Sequence, residues 1–319
     1  MTTTAEPTRP VRRILAALDG SPLAEAILDP VRVLATRLGA DVVLCHVVAV
    51  PEVVRTSTGE PTIEVVLKQE RSRAEAYLEA VAQRLRSAGI TVRAVTTVGD
   101  AAAEVLRSAE GHRADLVAIA THGRSGVRRW LYGSVADAII HSATKPVLLL
   151  RPADTPQPPF DIRRVVVGLD GSPIAEAALA TAEDIARRFD APLVLVRVVE
   201  TSTLAFAGDP AAAVYVDYQR LFDLLHEGAE RYLEERAAEV RRRGLNVETV
   251  VATGSSADEL VAQSRVANGA LLVLGTHGRS GWRAAALGSV ARRVALLASS
   301  PVLLVRGAEP SVGHESTKP

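Results

Sequence analysis

The sequence predicts an α/β protein made of two repeated domains, each a five-stranded parallel sheet with helices on both faces. Three observations predict it. The 319-residue chain repeats its own landmarks, each copy alternates short aliphatic runs with amphipathic stretches, and aromatic residues make up only 3% of the whole. Aliphatic runs rich in Val, Leu and Ala suit strands buried on both faces, and alternation of strand with helix is the pattern of parallel sheets joined by helical crossovers.

The repeat is read directly. Arg12-Arg13-Ile14-Leu15-Ala16-Ala17-Leu18-Asp19-Gly20-Ser21-Pro22 returns as Arg163-Arg164-Val165-Val166-Val167-Gly168-Leu169-Asp170-Gly171-Ser172-Pro173, 151 residues later. Thr121-His122-Gly123-Arg124-Ser125-Gly126 returns as Thr276-His277-Gly278-Arg279-Ser280-Gly281, now 155 residues later. The second copy therefore carries a net insertion of four residues, expected in the loop around Thr201 to Ala213. One domain is expected over 11–150 and the other over 162–306. The four prolines of 151–161 make a short, stiff linker, and 1–10 and 307–319 are expected to be flexible ends.

Within the first copy the elements follow in order. Ile14 to Leu18 is an apolar strand. Ser21-Pro22 supplies a side-chain cap and a proline at the first helical position, starting a helix expected to run to about Gly39. Val42 to Val48 is the second strand. Ala74, Tyr77, Leu78, Val81 and Leu85 recur at helical spacing in a long helix before Gly89, and its counterpart precedes Gly244. Val92 to Val98 is a strand, Ala101 to Glu110 a helix, Leu116 to Ala120 a strand, Ser134 to His141 a helix and Val147 to Leu150 the fifth strand. The second copy repeats that order.

Composition narrows the function. Lys and Arg number 37 and so do Asp and Glu, so no overall basic field gathers nucleic acid, and no reading helix is recognisable. Cys45 lies inside an apolar run and reads as a small core residue; one cysteine forms no disulfide within the chain, and no CxxC spacing suggests zinc. His226-Glu227 begins like a zinc-protease helix, but position 230 is Glu. The polar Met1 to Pro10 lacks a secretory apolar stretch, and no run reaches membrane-spanning length. A cytoplasmic protein, with no nucleic-acid or membrane partner, is expected.

In open parallel sheets, ligands bind beyond the carboxyl ends of the strands where the strand order reverses, here between strands one and four. Strand one ends in Asp19-Gly20 and Asp170-Gly171. Strand four runs into the loops at Thr121 and Thr276, which lead to helices at Gly133-Ser134 and Gly288-Ser289. Such a loop suits phosphate, because glycines let backbone N–H groups approach and a helix amino terminus offers unpaired donors. Read singly, the glycines are turns, the serines are helix caps and each Asp is a turn or cap carboxylate; together and repeated, they favour an anion site.

The second loop reads Gly275-x2-Gly278-x9-Gly288-Ser289 and is similar to the nucleotide signature of the ATP-binding universal stress proteins. The resemblance covers essentially all of both copies, including the closing Ala143-Thr144-Lys145-Pro146 and Ala298-Ser299-Ser300-Pro301 stretches. The first copy departs at Ala120, ahead of Gly123, Gly133 and Ser134, and that methyl is expected to crowd a phosphate or ribose.

What the resemblance implies is a Rossmann-like, adenine nucleotide alpha hydrolase-like fold that binds ATP, with Mg²⁺ arriving on the nucleotide. It implies Asp19 or Asp170 beside the nucleotide and the adenine edge against backbone near Val47 or Val198. Gly126 and Gly281 complete the two loops. Arg124 and Arg279 either reach phosphate oxygens or stay solvated. His122 and His277 lack a matched nucleophile and read as loop-ordering. Lysine occurs only at 68, 145 and 318, outside the glycine loops, so binding with at most slow hydrolysis is expected rather than an efficient enzyme. The alternatives are a slow ATPase and a nucleotide-independent dimeric interaction module. Relatives dimerise through the fifth strand; here the two copies are expected to pair those strands within one chain, leaving whole chains to dimerise through another surface.

Overall fold

The computed structural model describes residues 10–49, 60–121, 133–152, 159–200, 218–276 and 287–306. The first copy contains β1 (Arg13–Ala17), α1 (Pro22–Glu25), α2 (Leu28–Leu38), β2 (Asp41–Val48), α3 (Glu60–Arg86), β3 (Val92–Val98), α4 (Ala101–Gly111), β4 (Leu116–Ala120), α5 (Ser134–Ser142) and β5 (Val147–Leu150). The second contains β6 (Arg164–Gly168), α6 (Pro173–Phe189), β7 (Leu193–Val199), α7 (Tyr218–Arg242), β8 (Val247–Thr253), α8 (Ser256–Arg265), β9 (Ala270–Gly275), α9 (Ser289–Leu297) and β10 (Val302–Val305).

Each copy forms a parallel five-stranded sheet, and the two sheets join into one of ten strands in the order β3-β2-β1-β4-β5-β10-β9-β6-β7-β8. The junction is the expected pairing of fifth strands. β5 and β10 run antiparallel, with Val302 opposite Leu149, Leu303 opposite Leu148 and Leu304 opposite Val147. The pairing removes two apolar edges that would otherwise invite association.

Successive strand residues face opposite sides, so the sheet feeds two cores. Val42 and Leu44 join a core shared with Leu34, Leu78, Leu179 and Leu233, residues of both copies. Val43 and Cys45 join the opposite one, with Val105, Ile139, Leu260 and Val294. Both cores run unbroken across the junction. Arginines tie it from either side: Arg151 Nη1 donates to the Leu296 carbonyl of α9 at 3.2 Å, and Arg306 Nη2 donates to the Ile140 carbonyl of α5. Burial lowers the pKa of the Arg306 guanidinium.

The copies differ in their first helix. The second has one continuous helix, α6, of 17 residues. The expected single helix from Pro22 to Gly39 is instead broken after Glu25 and resumes at Leu28. Pro30 is the physical reason, since it has no N–H for the carbonyl of Ala26 and its ring crowds that oxygen. At the break the chain makes tighter bonds, Ala26 N–H to Leu23 O and Ile27 N–H to Ala24 O, both 3.3 Å. Thr181 holds the corresponding place in α6, which is unbroken.

The four-residue insertion falls between β7 and the body of α7. Val48 and Val199 end equivalent strands 151 residues apart. By contrast Arg86 and Arg241, bonded alike to the carbonyls of Val92 and Val247, are already 155 apart. The expected position, 201–213, lies outside the described residues, as do 1–9 and 307–319 of the chain ends.

Candidate functional site

The turn after strand one is built identically in the two copies. Asp19 Oδ1 accepts the Ser21 N–H and Asp170 Oδ1 the Ser172 N–H, each at 2.9 Å. Ser21 and Ser172 then cap their helices, their hydroxyl oxygens accepting from Ala24 N and Ala175 N. Gly20 and Gly171, at φ 80° and 82°, supply the left-handed turn between carboxylate and cap. Each Asp is therefore a turn residue, and the turn fixes its carboxylate at the strand's carboxyl end.

The loop after strand four is pinched at its base. Thr276 is fully buried; its N–H donates to Val305 O at 3.0 Å, and its carbonyl accepts the Gly288 N–H at 2.6 Å. Thr121 makes the same pair of bonds, to Leu150 and Gly133. Gly133 and Gly288, not the serines, are the caps, and neither helix has a side-chain cap bond. Ser134 and Ser289 are the first helical residues. In the second copy the amides of Ser289, Val290 and Ala291 precede the first helical bond, Arg292 N–H to Gly288 O, and all three residues line a cavity. This open helix end is a donor collar with a favourable dipole for an anion.

That cavity has a volume of about 440 Å³ and brings together Asp170, Val198, Gly275, Gly288 and Ser289 of the expected set. In the first copy Asp19, Val47, Ala120, Gly133 and Ser134 stand at the equivalent strand and helix ends. Gly123, Arg124, Gly126, Gly278, Arg279 and Gly281, with His122 and His277, lie outside the described residues. Val198 follows the end of the β6–β7 ladder, whose last pair is Gly168 with Val196, and so faces the crevice between those strands.

Gly275, the counterpart of Ala120, has a packing role as well as a place in the cavity lining. A methyl there would meet the Ile174 side chain at 3.0 Å and the Ile174 carbonyl carbon at 3.1 Å. It would thus press on the start of α6. Glycine at 275 serves close approach of helix to strand, and the first copy, with Leu23 in a broken helix, has a different neighbour there.

One difference between the copies at the cavity floor is Ala17 in place of Gly168. A methyl at Gly168 would meet Leu260 and Leu274 at 3.0 Å, and all three residues line the cavity. The first copy carries Ala17 with the smaller Val105 at the position of Leu260.

Sequence reading also missed three polar lining residues, Arg197, Glu200 and Ser256. The Arg197 guanidinium lies 4.5 Å from the centre of the Tyr232 ring, a cation–π contact. The Tyr232 hydroxyl donates to Glu176 Oε1 at 2.5 Å; burial and then this bond push its phenol pKa upward. Ser256 Oγ donates to Glu200 Oε1 at 2.6 Å. The first copy has His46, Ala49 and Ala101 at these three places. A charged residue ending an apolar strand was the available signal for Glu200. Among the described residues no group of three or more His, Cys, Asp or Glu side chains is arranged to hold a metal.

Comparison with known proteins agrees with this architecture. The sequence model of the universal stress protein family matches residues 10–151 and 161–306. A universal stress protein of Mycobacterium tuberculosis (strain ATCC 25618 / H37Rv) is 32% identical over 203 residues, which are 61% of this chain and 63% of that relative's length. One from Mycolicibacterium smegmatis is 29% identical over 301 residues, covering 92% of this chain and 96% of its own. The crystal structure of a universal stress protein from Archaeoglobus fulgidus DSM 4304 has a TM-score of 0.67 at 20% identity, covering 93% of this chain and 97% of its own. That is a likeness of fold.

Proposed function

The chain belongs to the universal stress protein family, with two family domains in tandem, and from that premise we propose that it is a regulatory protein that binds ATP. The second copy is the principal site, and hydrolysis is slow or absent. The observation that carries this reading is the convergence, in one cavity, of the Asp170 carboxylate with the uncapped start of α9.

The chemistry of the lining fits a nucleotide. A cavity of about 440 Å³ falls within the roughly 300–1,000 Å³ of small-molecule sites. Its floor of Val196, Val198, Leu260 and Leu274 is apolar and suits a base; the amides of Ser289, Val290 and Ala291 suit phosphate oxygens. Asp170 would accept from ribose hydroxyls or meet a Mg²⁺ carried in on the phosphates. Among the described residues the lining contains no lysine and no histidine, and its one arginine, Arg197, lies over the Tyr232 ring, which favours binding over fast phosphoryl transfer. In the first copy Ala17 takes up space at the floor, so we assign it the weaker binding. No helix among the described residues is long and apolar enough to cross a membrane, and we place this binding in the cytoplasm.

Titration calorimetry of the purified chain with ATP, with and without Mg²⁺, tests the proposal, alongside mass spectrometry of whatever small molecule the denatured protein releases. Micromolar binding, weakened at least tenfold by Asp170→Ala and less by Asp19→Ala, is expected. Absence of binding at millimolar ATP would exclude the reading. Turnover of several per second, the range of ordinary enzymes at roughly 1–1,000 per second, would exclude the non-enzymatic part.

A further inference from the structure

The second copy's cavity has two chemically different ends. Its donor end is the start of α9, which follows β9; its acceptor end is Glu200, directly after β7. In the sheet order β9-β6-β7 the two are separated by two strand spacings, about 10 Å. Between them lies the apolar floor of Val196, Val198 and Leu260.

Glu200 is positioned by the strand and by the helix it faces. Val194, Val196 and Val198 turn their side chains toward the core containing α8, and the period of two places Glu200 on that same side. There it meets Ser256, the first residue of α8, whose hydroxyl donates to Oε1 at 2.6 Å. The loop before α8 is itself tied to β7, Gly254 N–H donating to Val199 O at 3.1 Å. One carboxylate oxygen is thus anchored by a neighbour that is anchored in turn. Oε2 has no donor assigned to it among the described residues. A carboxylate offers only acceptors.

Resting on the reading of this cavity as a nucleotide site, we propose that Glu200, oriented by Ser256, is a specificity-determining residue that selects a purine bearing an amino group at its 6 position. With the phosphates on the α9 collar and the base over the apolar floor, the far edge of the base meets Oε2. The 6-amino group of adenine donates to it. Hypoxanthine and guanine carry a carbonyl oxygen there, so an Oε2 aimed at the 6 position faces an acceptor in place of a donor; their N1–H lies one ring position away and meets Oε2 only if the base shifts. The first copy, with Ala49 and Ala101 at the two positions, has no such reader and makes no distinction at that edge.

The test is calorimetric competition on the full chain with ATP and with ITP, which differs at that edge, comparing wild type with Glu200→Gln, Glu200→Ala and Ser256→Ala. A hydrogen bond to a charged group corresponds to roughly a 10- to 150-fold preference, so wild type is expected to favour ATP at least tenfold. Glu200→Gln can present its amide N–H₂ to a 6-carbonyl and should strengthen ITP binding while weakening ATP, erasing or reversing the preference. Glu200→Ala should erase it, and Ser256→Ala should reduce it by loosening the carboxylate. An unchanged ATP-to-ITP ratio in Glu200→Gln, with ATP still bound, overturns this assignment and leaves the nucleotide site standing. A wild-type chain that binds neither nucleotide overturns both.

Discussion

Leu148 of the first copy and Leu303 of the second sit directly opposite one another in the antiparallel β5–β10 ladder. Both are buried in the same core. This pair lies at the seam where two parallel sheets become one, and it makes the copies parts of a single packed body. Leu303→Ala should therefore cost about 2–5 kcal/mol, the usual range for a buried Leu truncated to Ala, and should shift the urea midpoint of the whole chain. Loss of less than 1 kcal/mol, or a midpoint change confined to one of two separate transitions, would contradict the shared core.

Gly168 tests what keeps the floor of the second copy's cavity open. Gly168→Ala places a methyl 3.0 Å from Leu260 and Leu274, and overpacking of this kind costs about 1–3 kcal/mol. Adding Leu260→Val reproduces the Ala17 and Val105 pairing of the first copy. The double variant should recover most of the lost stability while binding ATP more weakly than wild type. Thermal melts and calorimetry check the two halves separately; a double variant no more stable than Gly168→Ala would show that the swap is not compensatory.

Gly275→Ala drives a methyl toward the backbone of Ile174. A backbone atom yields less readily than a side-chain tip, so a loss of about 1–3 kcal/mol is expected. The reverse change, Ala120→Gly, meets no such barrier and should cost at most about 1 kcal/mol, mainly through the freedom glycine adds to the unfolded chain. Equal effects in both directions, measured by denaturant unfolding, would remove the distinction between the two helix starts.

Cys45 is fully buried, and burial pushes its thiol from the ordinary 9.0 up to about 11. The folded protein therefore holds this proton where the unfolded chain releases it. The contribution is fully present below pH 9 and is lost as pH rises through about 11, a loss of about 1.4 kcal/mol already at pH 10. The stability difference between wild type and Cys45→Val should shift by that amount, in favour of the variant, between pH 8 and pH 10. An aromatic disulfide reagent at pH 8 should modify the thiol only when the protein unfolds; prompt labelling of native protein would contradict its burial.

Most of the architecture was legible in the sequence, because the signals are local. Strand and helix follow from apolar spacing, and the turn after strand one from Asp-Gly-Ser-Pro, in which carboxylate, positive φ, cap and proline act within four residues. The break in the first helix was also encoded locally, by Pro30, against a helical pattern that otherwise runs on to Gly39. Repetition exposed the domain order and named Asp170, Gly288 and Ser289, the family resemblance added Val198 and Gly275, and all five line one cavity.

What the sequence by itself determined was the inventory and order of the elements and which strand ends carry chemically unusual residues. The tertiary structure decided which of those residues share a space and what each glycine is for. Gly168 faces Leu260, Gly275 faces Ile174 and Ser256 holds Glu200, all across separations of 56 to 101 residues. Such contacts depend on how adjacent strands and helices bring distant positions within a few ångströms of each other. Packing at interior density makes a single methyl matter there, and a one-dimensional pattern carries no measure of that distance.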